Sequence, residues 1–167
     1  MSFNIHWVDQ CADPEEIETL QLPVGTLTIT RQADVITDIA WNQHLPVDVQ
    51  SPQTPSPKTS NFIHPWLNPQ VNTTLTLLKQ GSAFRNRVWT ELCKIPYGTT
   101  ITYAELAKNI GSAARAVGNA CRDNPYTLVI PCHRVVAKSG MGGYCGKIAG
   151  DFMTIKTQLL ALEKANK

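Results

Sequence analysis

Hydrophobic and polar positions follow two different periodicities along the chain, and the change occurs near residue 80. Before it, apolar and polar residues alternate over 23–30, and 35–41 is rich in residues that favour strands, which together predict a hairpin in a small sheet. Residues 72–79 fit a short helix. From Pro46 to Pro69, prolines stand among Ser, Thr, Gln and Asn, which indicates a long loop without regular structure. We therefore expect two domains, 1–80 and 81–167.

After residue 80 the apolar positions take helical spacing. Ser82 precedes apolar residues at 84, 88, 89 and 92, so the pattern predicts a helix capped by this serine. Thr102 and Glu105 form a capping box, which predicts a second helix from Tyr103 to about Gly111.

Ser112 is expected to cap a third helix that runs from Ala113 to about Arg122. Two short helices joined by a tight glycine-containing turn are typical of a helix-turn-helix, although most such hairpins pack on a core and bind nothing. Ile155, Leu159, Leu160 and Leu162 predict a final amphipathic helix, which carries Glu163.

Cys132 and His133 stand side by side between two apolar runs, 128–130 and 135–137. This pattern predicts a buried strand interrupted by a short polar turn. A thiolate is the reactive form of cysteine, and a neighbouring base can generate it near neutral pH. The segment is therefore our candidate for the chemistry, while a simple core cysteine beside a surface histidine is the structural alternative.

Composition and charge restrict the classes of protein to which the chain can belong. The net charge of the 167 residues is +2, so bulk charge does not indicate nucleic-acid binding and any basic surface must be local. The chain has five cysteines and none are closely spaced, which argues against a disulfide framework. It shows no signal peptide and no apolar run of transmembrane length, so we expect an intracellular protein without membrane contact.

A series of short motifs runs through the second part of the chain. They are Gly81-Ser82, Phe84, Val88-Trp89, Ile95-Pro96-Tyr97-Gly98, Tyr103, Glu105-Leu106-Ala107, Arg115-Ala116-Val117-Gly118, Asn124-Pro125, Ile130-Pro131-Cys132-His133-Arg134-Val135 and Gly143-Tyr144. In order and spacing the chain resembles the O6-alkylguanine-DNA alkyltransferases, also called methylated-DNA–protein-cysteine methyltransferases. The resemblance covers about 81–164 and implies an α/β (α+β) fold, with a small RNase-H-like N-terminal lobe and a winged-helix-like, helix-turn-helix C-terminal lobe.

The resemblance also implies a role for each matching residue. Cys132 would accept the alkyl group, with His133 as a base acting through water and Glu163 orienting it. Asn124 would fix the turn before the cysteine, and Tyr103 would press on a phosphate and help to rotate the nucleotide out. The remaining implied contacts are with DNA, at Arg115 (the finger that fills the gap), Ala116, Gly118, Asn119 and Arg122, and with the base, at Tyr144, Cys145, Val135 and Cys121.

The implied function is direct-reversal DNA repair. The alkyl group of O6-alkylguanine would pass irreversibly to Cys132, once per molecule, and O4-alkylthymine is a second substrate that the sequence leaves open. The implied partner is double-stranded DNA, bound through the minor groove by a monomer, in the cytoplasm of a prokaryote or the nucleus of a eukaryote. No cofactor or metal is required, although zinc in the N-terminal lobe, where His6, Cys11, His44 and His64 are scattered, stays open.

Three other functions are alternatives to alkyl transfer. A non-catalytic protein that binds alkylated DNA is one, but relatives of that kind carry Trp where this chain has Cys132. A thiol hydrolase is the second, and no hydrolase signature surrounds the cysteine. A zinc site built from Cys121, Cys132, His133 and Cys145 is the third, and it lacks a short Cys-x-x-Cys pair.

The segment 147–153 is longer than in common members of the family. We expect it to bulge outward as a loop, with Asp151 capping the helix that follows.

Overall fold

The computed structural model describes residues 3–42 and 73–166, which form two compact units with their boundary between Lys79 and Gln80. The predicted loop from Pro46 to Pro69 lies outside the described residues, as do His44 and His64. Among the described residues, no helix combines the length and the apolar character that a membrane crossing requires.

The first unit contains a five-stranded sheet in the order β1-β5-β4-β3-β2. Its strands are β1 (Asn4–Val8), β2 (Glu15–Leu22), β3 (Gly25–Gln32), β4 (Val35–Trp41) and β5 (Thr74–Leu78). Strands β2, β3 and β4 pair antiparallel, so the predicted hairpin is confirmed, while β5 runs parallel to both of its neighbours.

The helix predicted for 72–79 is wrong, because Thr74–Leu78 forms β5. Leu75 and Leu77 are buried while the residues between them are not, which is the period of a strand. Its parallel partners on each side, β1 and β4, supply the backbone hydrogen bonds, and the local sequence does not predict this pairing.

The second unit contains α1 (Ala83–Leu92), α2 (Tyr103–Asn109), α3 (Ala114–Arg122) and α4 (Asp151–Ala165). The Ser82 cap and the Thr102–Glu105 capping box are both formed, as predicted. The cap predicted at Ser112 is not formed, because Ala113 is the residue at the start of α3 and no side chain caps this helix. Two short strands, β6 (Ile101–Thr102) and β7 (Val135–Val136), pair in parallel and tie the start of α2 to the residues after the cysteine segment.

The segment around Cys132 is partly as predicted: the polar turn and a short strand after it, β7, are formed, but the strand before the turn is not. Cys132–Arg134 forms one turn of 3₁₀ helix, and before it Leu128 has a left-handed backbone with φ of 74°. Pro131 has no N–H to give to a ladder, and the side chain of Asn124 takes the Ile130 carbonyl that a strand partner would otherwise bind. The apolar residues 128–130 are therefore buried in a turn rather than in a sheet.

The segment 147–153 is only partly the outward loop that was predicted. Residues 147–150 are exposed, but α4 begins at Asp151, and Phe152 in its first turn is buried. The residue at the cap is Gly150, so the capping role predicted for Asp151 is wrong. The extra length therefore extends the helix as well as the loop.

Candidate active site

A cavity of about 260 Å³ lies in the second unit, with Cys132 in its wall. Residues from α2, from α3 and from 139–146, which we call the glycine-rich segment, complete it together with Lys147 and Ile148. Its lining consists of Tyr103, Gly118, Cys121, Arg122, Cys132, Gly143, Tyr144, Cys145, Gly146, Lys147 and Ile148. Residues predicted as catalytic, DNA-binding and base-binding thus share one cavity.

The Cys132 thiol is buried and held from several sides. The Nδ2 atom of Asn124 donates to its Sγ over 3.4 Å, and the backbone N–H groups of Cys132 and His133 also act on it. Burial raises the pKa of the Cys132 thiol, while Asn124, Lys156 and these N–H groups work against the rise. The residue therefore rests as a thiol and needs a base before it can act as a nucleophile.

His133 is fully buried and joined to Glu163, with 2.8 Å between Nε2 and Oε1. Burial lowers the pKa of His133 although Glu163 favours the charged ring, so the ring is neutral at pH 7. Glu163 can only accept, so Nε2 carries the proton and Nδ1 is left as the basic nitrogen. Nδ1 is buried and has no hydrogen-bond partner among the described residues.

Glu163 is held as an anion by its neighbours. Arg134 donates to both carboxylate oxygens, with Nε to Oε2 at 2.9 Å and Nη2 to Oε1 at 2.8 Å, and the N–H of Gly98 adds a bond to Oε2. Burial alone would raise the pKa of Glu163, but the hydrogen bonds from His133 and Arg134 hold it at about 2. We call His133, Arg134 and Glu163 the charged cluster.

Asn124 sits at the turn before the cysteine, as predicted. Besides its contact with Cys132, its Nδ2 donates to the Ile130 carbonyl over 2.9 Å, and its Oδ1 accepts from the N–H of Tyr126 over 3.0 Å. One side chain therefore fixes both the bend and the direction of the thiol.

Five of the six predicted DNA-binding residues lie on α3, and the sixth, Tyr103, begins α2. Not all of those on α3 are at the cavity. Gly118 and Arg122 line it, Arg115 and Asn119 are exposed on the helix surface, and Ala116 is half-buried. The guanidinium of Arg122 pairs with Asp123 over 3.1 Å.

Of the four predicted base-binding residues, three lie at the cavity and one does not. Tyr144, Cys145 and Cys121 line the cavity, whereas Val135 is fully buried in β7 and is not among the lining residues. Tyr103 donates its hydroxyl to the Gly143 carbonyl over 3.1 Å, which joins α2 to the glycine-rich segment.

Arg134 and Lys156 were missed as functional residues. Arg134 stood inside the quoted motif, and a buried carboxylate at the position of Glu163 calls for such a cation. Lys156 lies on the apolar face of α4, between Ile155 and Leu159, where a solvent-exposed lysine is not expected. This position in the apolar pattern could have identified Lys156 as a buried residue from the sequence.

The described residues contain no group of three His, Cys, Asp or Glu side chains placed to hold a metal. The rival zinc site at Cys121, Cys132, His133 and Cys145 is therefore not formed. His6 and Cys11 lie in the described part of the first unit and belong to no such group, whereas His44 and His64 lie outside the described residues.

Known proteins are similar to this chain over both of its units. The model of the 6-O-methylguanine DNA methyltransferase DNA-binding domain matches residues 83–165. The methylated-DNA–protein-cysteine methyltransferase of Mycobacterium tuberculosis is 37% identical over 155 residues, which cover 88% of this chain and 91% of the relative.

Solved structures give the same result. The crystal structure of the M. tuberculosis O6-methylguanine methyltransferase has a TM-score of 0.74 at 32% identity, covering 92% of this chain and 95% of the other. A crystal structure of M. tuberculosis OGT in complex with DNA has a TM-score of 0.70 at 34% identity, covering 89% and 92%. The likeness therefore extends over most of each chain.

Proposed function

The chain belongs to the O6-alkylguanine-DNA alkyltransferase family, and from that premise we propose that it repairs DNA by taking the alkyl group of O6-alkylguanine onto Cys132. The observation that carries the proposal is the buried Cys132 thiol at a cavity, followed in the chain by a neutral His133 that is bonded to Glu163. A buried thiol, a basic nitrogen and an orienting carboxylate are the parts that thiol activation needs.

The first step is loss of the thiol proton. The basic Nδ1 of His133 takes it through a bridging water, and the ring becomes an imidazolium that Glu163 stabilises through Nε2. Arg134 keeps Glu163 ionised throughout, so the carboxylate orients the ring instead of taking the proton itself. Asn124 and two backbone N–H groups receive the thiolate charge.

The second step is a single displacement. The Cys132 sulfur forms a bond to the alkyl carbon while the bond from that carbon to guanine O6 breaks, and the electron pair leaves with the guanine. Tyr144 lies in the cavity wall, where a hydroxyl can donate to the departing base. The product is a thioether, so each molecule acts once.

A guanine stacked in a duplex cannot reach a thiol that is 4% exposed, so the damaged nucleotide must rotate out of the helix. Arg115, exposed near the start of α3, fills the gap, and Tyr103 presses on the adjacent phosphate. A relative has been solved with DNA, which supports duplex DNA as the partner. Binding from the minor groove by a monomer completes the proposal.

The test is intact-protein mass after mixing with duplex DNA that contains O6-methylguanine. We expect a gain of one methyl group, mapped to Cys132, and a plateau at one group per protein when lesion DNA is in excess. Cys132→Ser should bind the same DNA and gain nothing.

Methyl transfer to the Ser variant, or product that keeps rising beyond one group per protein, would overturn the assignment. DNA binding without any mass gain in the native protein would favour the non-catalytic alternative, against which the presence of Cys132 already argues.

A further inference from the structure

Lys156 is a buried charge that the proposed mechanism does not use. Its side chain on α4 is fully buried, and no Asp or Glu of the described residues forms an ion pair with it. A buried ammonium is costly unless its N–H groups are all bonded. The reason for its presence must therefore lie in the groups that it contacts.

Three backbone carbonyls surround the Nζ atom of Lys156. They belong to Val135 at 2.6 Å, Met141 at 2.8 Å and Gly143 at 2.9 Å. An ammonium has three N–H donors and a neutral amine has two, so three acceptors select the charged form. Burial lowers the pKa of Lys156 to about 8, which still leaves the ammonium as the main form at pH 7.

The three carbonyls come from two different segments. Val135 directly follows the turn that carries Cys132, while Met141 and Gly143 belong to the glycine-rich segment that forms part of the cavity wall. Gly143 also accepts from Tyr103, and the Nζ atom lies 6.0 Å from the centre of the Tyr103 ring. Lys156 therefore links the nucleophile's segment to the wall opposite it.

The charge of Lys156 also acts on the cavity. The titratable groups that face it are the thiols of Cys132, Cys121 on α3 and Cys145 in the glycine-rich segment, together with His133 and Tyr103. Arg134 is already engaged by Glu163, so Lys156 is the cation that lowers the pKa of Cys132.

We propose that Lys156 is a positioning residue for alkyl transfer: its ammonium fastens the cavity wall to the Cys132 segment and favours the thiolate. The proposal deepens the alkyl transfer proposed above, which it takes as given. Its first test uses thiol reactivity and does not depend on that transfer.

The first test measures carboxamidomethylation of Cys132 by iodoacetamide between pH 6 and 10, resolved by peptide mass. In Lys156→Met we expect about tenfold slower reaction at pH 7, where the native lysine is mainly an ammonium, and a difference that shrinks toward pH 10, where the native lysine has lost its proton. Lys164→Met is the matched control, because Lys164 is an exposed lysine on the same helix. Cys93 serves as the internal control within each sample.

The second test separates the charge from the three-carbonyl contact. Lys156→Arg keeps the charge but presents a planar fork of donors, so the iodoacetamide rate at pH 7 should return to within about threefold of the native value. The single-turnover rate with free O6-benzylguanine should stay below the native rate, with most of the loss in the rate constant rather than in base binding.

The proposal is overturned if folded Lys156→Met matches the native protein within twofold in both reactions. If all variants, including the native protein, react with iodoacetamide but none accepts benzyl, the proposed function fails and the inference on thiol reactivity stands separately.

If Lys156→Met does not fold, the native protein supplies the measurement. The lysine NH₃⁺ groups are then observed by NMR at pH 7, where Lys156 should give a signal protected from water exchange, unlike Lys164. A neutral or rapidly exchanging Lys156 would overturn the proposal.

Discussion

The two sides of Cys132 are built in opposite ways. On one side the charged cluster is sealed from solvent, and each side chain in it has a hydrogen-bonded partner of opposite charge or polarity. On the other side the glycine-rich wall, residues 142–148, has left-handed backbone at Gly142, Cys145 and Gly146 and ends in exposed residues. The difference indicates that the proton-handling side is closed to solvent, while the side that receives the substrate opens to solvent at its rim, residues 146–148.

The largest effect should come from breaking the charged cluster at Arg134. Arg134→Met leaves the Glu163 carboxylate buried without its cation, which typically costs about 3–5 kcal/mol of unfolding free energy. Arg122→Met is the matched control, because the Arg122–Asp123 pair is more than half exposed on the arginine and should contribute about 0–1 kcal/mol. Urea unfolding of the three proteins measures both. Equal losses would contradict the contrast between the two sides.

Acid should weaken the same cluster. The pKa of Glu163 is about 2 in the folded protein and 4.5 ordinarily, so its contribution is complete above pH 4.5 and is lost as the pH falls toward 2. Such a shift corresponds to about 3 kcal/mol. His133 acts in the same direction, because its lowered pKa makes protonation favour the unfolded chain below pH 6.5.

Urea unfolding at pH 3, 5 and 7 tests this sign. The native protein should lose stability from pH 7 to 5 through His133 and further from pH 5 to 3 through Glu163. Glu163→Gln should show a smaller second loss, because the lowered pKa values of Asp123 and His133 still contribute to it. A native profile that is flat between pH 5 and 3 would contradict the assignment.

A smaller effect is expected on the substrate side at Arg115. Arg115→Ala should slow repair in duplex DNA by about 10–100-fold, because unstacking a base costs a few kcal/mol. It should leave reaction with free O6-benzylguanine within about twofold, since a free base needs no flipping. Single-turnover rates on the two substrates give the comparison, with the exposed Arg87 of α1 replaced by Ala as control. Equal losses on both substrates would indicate a structural role.

The smallest effect should come from the rim of the glycine-rich wall. Ile148 lines the cavity yet is 87% exposed, so Ile148→Ser should not disturb folding. We expect methyl transfer within about twofold of native and benzyl transfer slower by about 3–10-fold, because only the larger group reaches an apolar rim. Rates with methyl and benzyl lesions in the same duplex measure this. A methyl-transfer collapse in the folded variant would place the rim in the fixed part of the site.

Local signals account for what the sequence predicted well. Ser82 and the Thr102–Glu105 box act within one helical turn, so their residues alone specify the helix starts. The strand at Thr74–Leu78 was missed because its partners lie at residues 4–8 and 35–36, far away along the chain. The polar turn at Cys132 was predicted, but the turn over 128–130 before it was not, since the side chain of Asn124 takes the Ile130 carbonyl that a strand partner would bind.

Within the candidate site, the residues that were predicted and those that were missed differ in the same way. The motif resemblance brought Cys132, His133, Glu163 and Asn124 together, and the structure joins them in two hydrogen-bonded pairs, Asn124 with Cys132 and His133 with Glu163. Arg134 and Lys156 carry no local sign of their partners, because the groups that they bind lie 29 and 13–21 residues away. Burial decided their importance, and burial is a property of the folded chain.

The separation of His133 and Glu163 along the chain also orders events in time. Glu163 follows His133, its hydrogen-bond partner, thirty positions later in the chain. At synthesis rates of about 5–20 residues per second, His133 and Arg134 wait roughly 1.5–6 s for Glu163 to be made. During that interval the emerging polypeptide holds a cysteine, a histidine and an arginine that nothing yet neutralises or seals. The reactive centre therefore matures only when α4 arrives, which keeps its nucleophile unassembled on the ribosome.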